Sequence, residues 1–252
     1  MTADFVRKIR TREPAVGYWV MLDAPPATER LARAGYDYVC LDGQHGLLGY
    51  QGILNGLIAI DAAGGATGVV RVASHDRAAI CRALDAGARG IIVPLVDDAE
   101  QAAAAVAATR YPPGGIRSYG PMRSSLRIGP EPAEADASVV VLAMIETPLG
   151  LANVESISAT PGLDGVYIGP ADMALAVGAA YPGDPAVAAE FDAALAAVRA
   201  AADAAGIAVG IHTPDGATAA RRLAEGFTFA SVSSDLEHLE QVARAHLDDA
   251  LR

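Results

Sequence analysis

The chain has 252 residues, 52% of them apolar and 19% charged, which suffices for one large core and suits a single α/β barrel domain over residues 1–252. Its formal net charge of -11 sets it against polyanionic partners, so neither nucleic acid nor an anionic membrane surface is an expected ligand. Two cysteines, Cys40 in an apolar run and Cys81 in a helical one, fit free thiols in a reducing cytosol better than a disulfide framework. The opening segment has no apolar h-region and no uncharged stretch reaches the ~18 residues of a membrane span, so a cytoplasmic protein is expected.

Short β-rich apolar runs alternate along the chain with Ala- and charge-rich segments of helical spacing. Strands are expected at 17–22, 38–41, 68–72, 90–93, 139–146, 165–169, 207–211 and 229–233, and helices at 27–34, 76–86, 97–109, 185–205, 214–225 and 236–247. Alternation of this kind implies crossover connections and a parallel sheet. Eight such units in a chain of this length favour a closed (β/α)8 TIM barrel over an open doubly wound sheet. No Gly-x-Gly-x-x-Gly follows the first strand, which lowers the dinucleotide-binding alternative. Asp97 and Ser234 are expected N-caps, Pro185 and Pro214 sit where a first helical turn tolerates proline, and Gly87 and Gly206 fall where a helix end wants positive φ. Two connections are longer than a barrel needs: 111–137, rich in Gly, Pro, Ser and Arg, and 178–184. The first is a lid candidate, and Arg117, Arg123 and Arg127 within it would put a positive field over the mouth; mobile exposed arginines are the plainer alternative.

Polar residues at the C-terminal ends of barrel strands are the functional suspects. The run 139–147 is almost unbroken and β-branched, as in a strand buried on both faces, yet it stops at Glu146. The next apolar run, 165–169, leads into Pro170, Ala171 and Asp172. Two acids at the ends of consecutive parallel strands share one mouth, and their oxygens suit a hard divalent cation such as Mg²⁺ or Mn²⁺. The structural alternative is that Glu146 caps a helix and Asp172 lies in a turn. Other strand ends deliver Asp42 with Gln44 and His45, then Arg71, His212, Ser233 and Ser234. A lone loop histidine is usually a surface residue, and His212 could simply bond a neighbouring loop. Grouped on one rim, an acid–base residue, a fixed cation and two carboxylates are the ingredients for stabilising an enolate.

Asp42-Gly43-Gln44-His45, Val70-Arg71-Val72, Leu84-Asp85-Ala86-Gly87-Ala88, Ile92-Val93-Pro94, Arg110-Tyr111-Pro112-Pro113-Gly114-Gly115-Ile116-Arg117, Ile145-Glu146-Thr147 and Gly165-Val166-Tyr167-Ile168-Gly169-Pro170-Ala171-Asp172 occur in that order. Together they resemble the HpcH/HpaI aldolases, metal-dependent class II pyruvate aldolases, and the resemblance runs over residues 17–234. It implies a (β/α)8 barrel, usually a hexamer (a trimer of dimers) whose last helix swaps between neighbours. It also implies reversible cleavage of 4-hydroxy-2-oxoacids to pyruvate and an aldehyde through a metal-stabilised enolate. Residue by residue, it makes Glu146 and Asp172 the ligands of Mg²⁺, Mn²⁺ or Co²⁺, with waters and the 2-oxoacid completing the sphere. Arg71 would stand beside the ketone oxygen. His45, in the acid–base group with Asp42, would relay the proton of the 4-hydroxyl, oriented by Asp85. The main chain of Gly169, Pro170, Ala171 and Asp172 would hold the pyruvate carboxylate.

Two positions depart from the family's usual pattern. Met144 stands where a glutamine commonly precedes the metal glutamate by two residues, and Gln44 where many members have glutamate beside the histidine. Both bear on substrate choice, metal preference or rate. The alternatives are an oxaloacetate decarboxylase, an enzyme condensing acyl-CoA with a 2-oxoacid on the same scaffold, and a non-catalytic barrel that binds a metabolite.

Overall fold

The structure, a computed structural model, describes residues 3–252. Eight parallel strands pair in sequence order: β1 (Ala15–Val20), β2 (Tyr38–Asp42), β3 (Thr67–Arg71), β4 (Gly90–Val93), β5 (Val140–Met144), β6 (Gly165–Ile168), β7 (Ala208–Thr213) and β8 (Phe229–Ser234). β8 pairs in turn with β1, so the sheet closes into the expected (β/α)8 barrel. All eight strands lie where the sequence predicts them, with ends displaced by at most two residues.

Side chains alternate inward and outward along each strand. Outward residues such as Val39, Leu41, Val70, Ile91, Val141, Val166 and Val209 belong to the larger core cluster, shared with the surrounding helices. Inward residues, among them Trp19, Tyr38, Cys40, Val69, Ile92, Leu142, Met144, Tyr167 and Phe229, fill the barrel itself. So many aromatic rings fit only because the neighbouring inward positions are small. A Cβ on Gly17 would lie 2.2 Å from the Tyr38 ring, and one on Gly210 would lie 2.2 Å from the Phe229 ring.

The floor of the barrel is closed by the helix Ala3–Thr11, which buries Phe5, Val6 and Ile9 in the inner cluster, with the Phe5 and Tyr38 rings 4.8 Å apart. Above it, the hydroxyls of Tyr38 and Tyr167 both bond Ser231 Oγ, at 2.8 and 2.7 Å, so the polar atoms at mid-height satisfy one another. Among the described residues, the barrel interior is left open at its upper end, where the strands finish.

Helix ends follow the sequence with local corrections. Ser234 caps the helix Asp235–Ala250 by accepting from the Glu237 amide at 3.2 Å, and Gly206 ends the helix Ala188–Ala205 at φ 70°. The N-cap of the helix Ala99–Thr109 is Asp98, which accepts from the Gln101 amide at 2.8 Å; Asp97 instead accepts from the Thr147 hydroxyl. Pro214 precedes the cap Asp215 rather than sitting in the first turn.

The segment 111–137 is not a lid over its own barrel. It joins the helix Ala99–Thr109 to β5, and helices run back against the strands, so it lies at the floor end. Its arginines are already paired: Arg117 is buried, bonds Asp85 at 2.8 Å and stacks on Tyr111; Arg123 and Arg127 both meet Asp61. Segment 178–184, between the helix Pro170–Ala176 and the Pro185–Val187 turn, does lie on the upper rim. The last helix, Asp235–Ala250, has no buried residue and exposes Leu239, Val242 and Leu247. No helix among the described residues is long and apolar enough to cross a membrane.

Candidate active site

Asp42 is the last inward residue of β2 and stands level with Arg71 in the β2–β3 register. The neighbouring strands therefore bring the two together with no loop involved. Arg71 donates through Nε at 2.9 Å to Oδ1 and through Nη2 to Oδ2, the forked pairing that suits guanidinium to carboxylate. The Trp19 indole adds a bond to Oδ2 at 3.1 Å, and the amides of Gln44 and His45 bond Oδ1 at 3.0 and 3.1 Å. Those last two bonds wrap the loop after β2 round the carboxylate and so fix where His45 departs. Burial alone would raise the Asp42 pKa, but the Arg71 bonds and charge, with Trp19, outweigh it and hold the carboxyl below its ordinary range. The Arg71 guanidinium also lies 5.1 Å from the Trp19 ring centroid.

Glu146 follows β5 in the inward phase and is buried. Oε1 accepts from the Leu95 amide at 2.9 Å, a direction that Leu95 achieves with a left-handed φ of 55°. Oε2 is buried without a partner among the described residues. It lies so close to the backbone of Gly169 that a Cβ there would come within 2.5 Å, so only glycine leaves room for it. Burial, reinforced by the negative charge of Asp172, raises the Glu146 pKa to about 7 in spite of the Leu95 bond and the positive charge of Arg71. An orphaned oxygen beside a second carboxylate is the environment that a hard cation would satisfy, and both donors are of the hard oxygen type. Among the described residues no cluster of three His, Cys, Asp or Glu forms a metal cage, so protein ligation would stop at these two acids.

These groups meet at a cavity of about 210 Å³ lined by Asp42, His45, Arg71 and the run Gly169 to Asp172, with Trp19, Met21, Met144, Tyr167, His212, Ser234 and Glu237 completing the wall. Glu146 stands just behind it, its Oε2 and the Met144 methyl both lying beside Gly169. His45 is exposed, and its ring has no hydrogen-bond partner among the described residues. Met144 supplies an apolar wall where a glutamine would have offered a polar one. His212 is inward on β7 and edge-on to Trp19 at 5.4 Å; burial, with the charge of Arg71, lowers its pKa to about 4, so the ring is neutral at pH 7.

The sequence brought out ten residues that the structure gathers here: Asp42, His45, Arg71, Glu146, Gly169, Pro170, Ala171, Asp172, His212 and Ser234. Asp85 is not among them. It ends the helix Arg77–Asp85 at the floor of the barrel, where its partner is Arg117, so within one chain it does not orient His45. Trp19 and Glu237 went unnoticed. Trp19, the single tryptophan, is in inward phase with the end of β1, a signal the sequence does carry. Glu237 reads as the third helical residue after the Ser234 cap, a position usually taken up with capping. Its carboxylate instead accepts from Ser233 Oγ at 3.0 Å and faces the cavity.

The model of the HpcH/HpaI aldolase/citrate lyase family matches residues 15–241, the barrel and the start of the last helix. The chain belongs to this family. A hydroxypyruvate/pyruvate aldolase of Rhizorhabdus wittichii is 43% identical to it over 97% of this chain and 99% of its own. A 4-hydroxy-2-oxovalerate aldolase of Rhodococcus jostii is 39% identical, with 96% and 93% covered. The crystal structure of an HpcH/HpaI aldolase/citrate lyase family protein from Burkholderia cenocepacia superposes with a TM-score of 0.87 at 33% identity, covering 99% of this chain and all of that one. Similarity of this extent makes the chain an enzyme of the aldolase class.

The Glu146 environment leaves a mark on stability. Its pKa rises from 4.5 to about 7 on folding, so between those values the unfolded chain has lost a proton that the folded chain keeps. Stability of chelator-treated protein should therefore fall as pH rises from about 4.5 to about 7 and then level off, by on the order of 3 kcal/mol. Glu146→Gln should abolish this component. Denaturant midpoints at pH 5 and 8 for both proteins measure it, and identical pH dependence in the two would contradict the environment described.

Proposed function

We propose that the protein is a divalent-cation-dependent aldolase that reversibly cleaves 4-hydroxy-2-oxoacids to pyruvate and an aldehyde. The observation that carries this is Glu146, whose unpartnered buried oxygen beside Asp172 calls for a cation. Aldolase relatives similar over nearly the whole chain support it. Glu146 and Asp172 would hold Mg²⁺, Mn²⁺ or Co²⁺, which when bound draws electron density from the 2-oxo group.

The remaining work falls to the chain's own residues. Arg71 spends Nε and Nη2 on Asp42, which leaves Nη1 for the ketone oxygen as negative charge develops there. Ala171 and Asp172 lie in the first turn of the helix Pro170–Ala176, so their amides have no acceptor within it and suit the substrate carboxylate. His45 takes the 4-hydroxyl proton. As it does so the C3–C4 bond breaks, its electron pair moves to C3 to form the enolate, and C4 leaves as the aldehyde. Protonation of C3 then yields pyruvate, and aldol addition is the reverse. Asp85 lies at the other end of its own barrel, so any contact that orients a His45 would cross between copies.

The uncovered apolar face of the helix Asp235–Ala250 supports assembly of the enzyme as an oligomer, a hexamer on the family pattern. Two free cysteines support a cytoplasmic setting. Light scattering of the purified protein should give a mass several times that of one chain; a monomer would rule out the assembly.

Exhaustive chelation should remove activity, and added Mg²⁺ or Mn²⁺ should restore it. Glu146→Gln and Asp172→Asn should each abolish activity while the circular dichroism of the barrel is kept, because a neutral amide is a far weaker ligand of a hard cation. Full activity after chelation would overturn the cation-dependent reading.

His45 has a narrower task. Its loss should slow aldol cleavage by about 10² to 10⁴. Decarboxylation of oxaloacetate, which reaches the same enolate without a hydroxyl proton to remove, should be far less affected by His45→Ala at matched cation occupancy. Equal loss in both reactions would show that His45 serves the shared enolate instead.

A further inference from the structure

A second cavity, of about 620 Å³, adjoins the first on the upper rim, and Pro170, Ala171, His212 and Glu237 line both. An enzyme that makes or breaks a carbon–carbon bond has to house both fragments at once. At about 210 Å³ the first cavity is below the ~300–1,000 Å³ in which proteins usually enclose a small-molecule ligand, whereas the second falls within that range. A substrate whose 2-oxoacid end occupies the first therefore projects its aldehyde end toward the second.

We propose that the second cavity receives the chain of the aldehyde, and that His212 and Glu237 select uncharged, hydroxylated chains over carboxylated ones. The inference rests on the aldolase reading above. The ionisable residues lining this cavity are Asp184, His212 and Glu237. Two are carboxylates, and among the described residues no lysine or arginine lines this cavity. A carboxylated chain would thus meet repulsion with no compensating cation. A neutral imidazole offers one donor and one acceptor, and neither ring nitrogen of His212 has a partner among the described residues. With the Glu237 carboxylate as a second acceptor, the wall can bond a hydroxyl from both sides. Val187 and Phe191 supply apolar contact for the carbon chain between.

The test uses pyruvate as donor with three four-carbon acceptors: 3-hydroxybutanal, butanal and succinic semialdehyde. Wild-type kcat/KM should fall in that order, with at least tenfold between the first and the last. Glu237→Gln, a conservative change at an exposed site, should raise succinic semialdehyde about tenfold relative to butanal. His212→Leu should erase the preference of 3-hydroxybutanal over butanal. Succinic semialdehyde accepted as well as butanal by the wild type, or ratios unmoved by both substitutions, would overturn the proposal. Exchange of the pyruvate methyl protons in deuterium oxide, followed without any aldehyde, separates the two levels. Exchange present with the wrong acceptor order defeats the selectivity alone, and absence of exchange defeats the aldolase reading together with it.

Discussion

Inside a closed eight-stranded barrel there is space for the side chain of every second residue and no more. That constraint sets nearly everything else in this protein. Lower down, the inward positions carry rings and branched chains, with glycine wherever a ring needs its neighbour's volume, as at Gly17 beside Tyr38. At the last inward position of several strands the same periodicity delivers Trp19, Asp42, Arg71 and His212, and just past β5 it delivers Glu146. The site is the top layer of the core, made polar.

A polar layer on an apolar core is stable only if its charges are compensated. The Asp42–Arg71 pair meets that condition because adjacent strands hold it in register, and five donor contacts converge on one carboxylate. Removing either partner would leave a buried charge alone, at a cost of about 3–5 kcal/mol. Glu146 is the contrasting case. It sits in the same layer with one oxygen unanswered, and the fold tolerates it by raising its pKa. Compensation is complete where the residue positions others and incomplete where a ligand has to bind.

Much of this could be read from the sequence, for physical reasons. Buried parallel strands are conspicuous as β-branched runs, and the acids that terminate them are conspicuous by contrast, which is how Glu146 and Asp172 stood out. The lid reading of 111–137, with Arg117, Arg123 and Arg127 over the mouth, came from treating a Gly- and Pro-rich connection as part of the rim. The order of elements already separates the two ends: a segment that follows a helix and precedes a strand returns to the floor, and 111–137 is such a segment. Other features had no signal to read. The bond from Leu95 to Glu146 depends on one left-handed residue, and the choice of Asp98 over Asp97 as a cap turns on a hydroxyl fifty residues away, on Thr147. The shared wall of His212 and Glu237 exists only once β7 and the last helix have been brought side by side.

The helix that closes the floor, with Phe5, Val6 and Ile9 packed beneath Tyr38, makes the barrel a vessel with one opening. Traffic through a single opening is last in, first out. Whatever lies deepest, against Glu146 and Arg71, has to arrive before the fragment above it and depart after it. Kinetic order in such an enzyme is therefore a matter of depth: the sequence of arrivals and departures is imposed by a plug of three apolar side chains at the end of the molecule farthest from the chemistry.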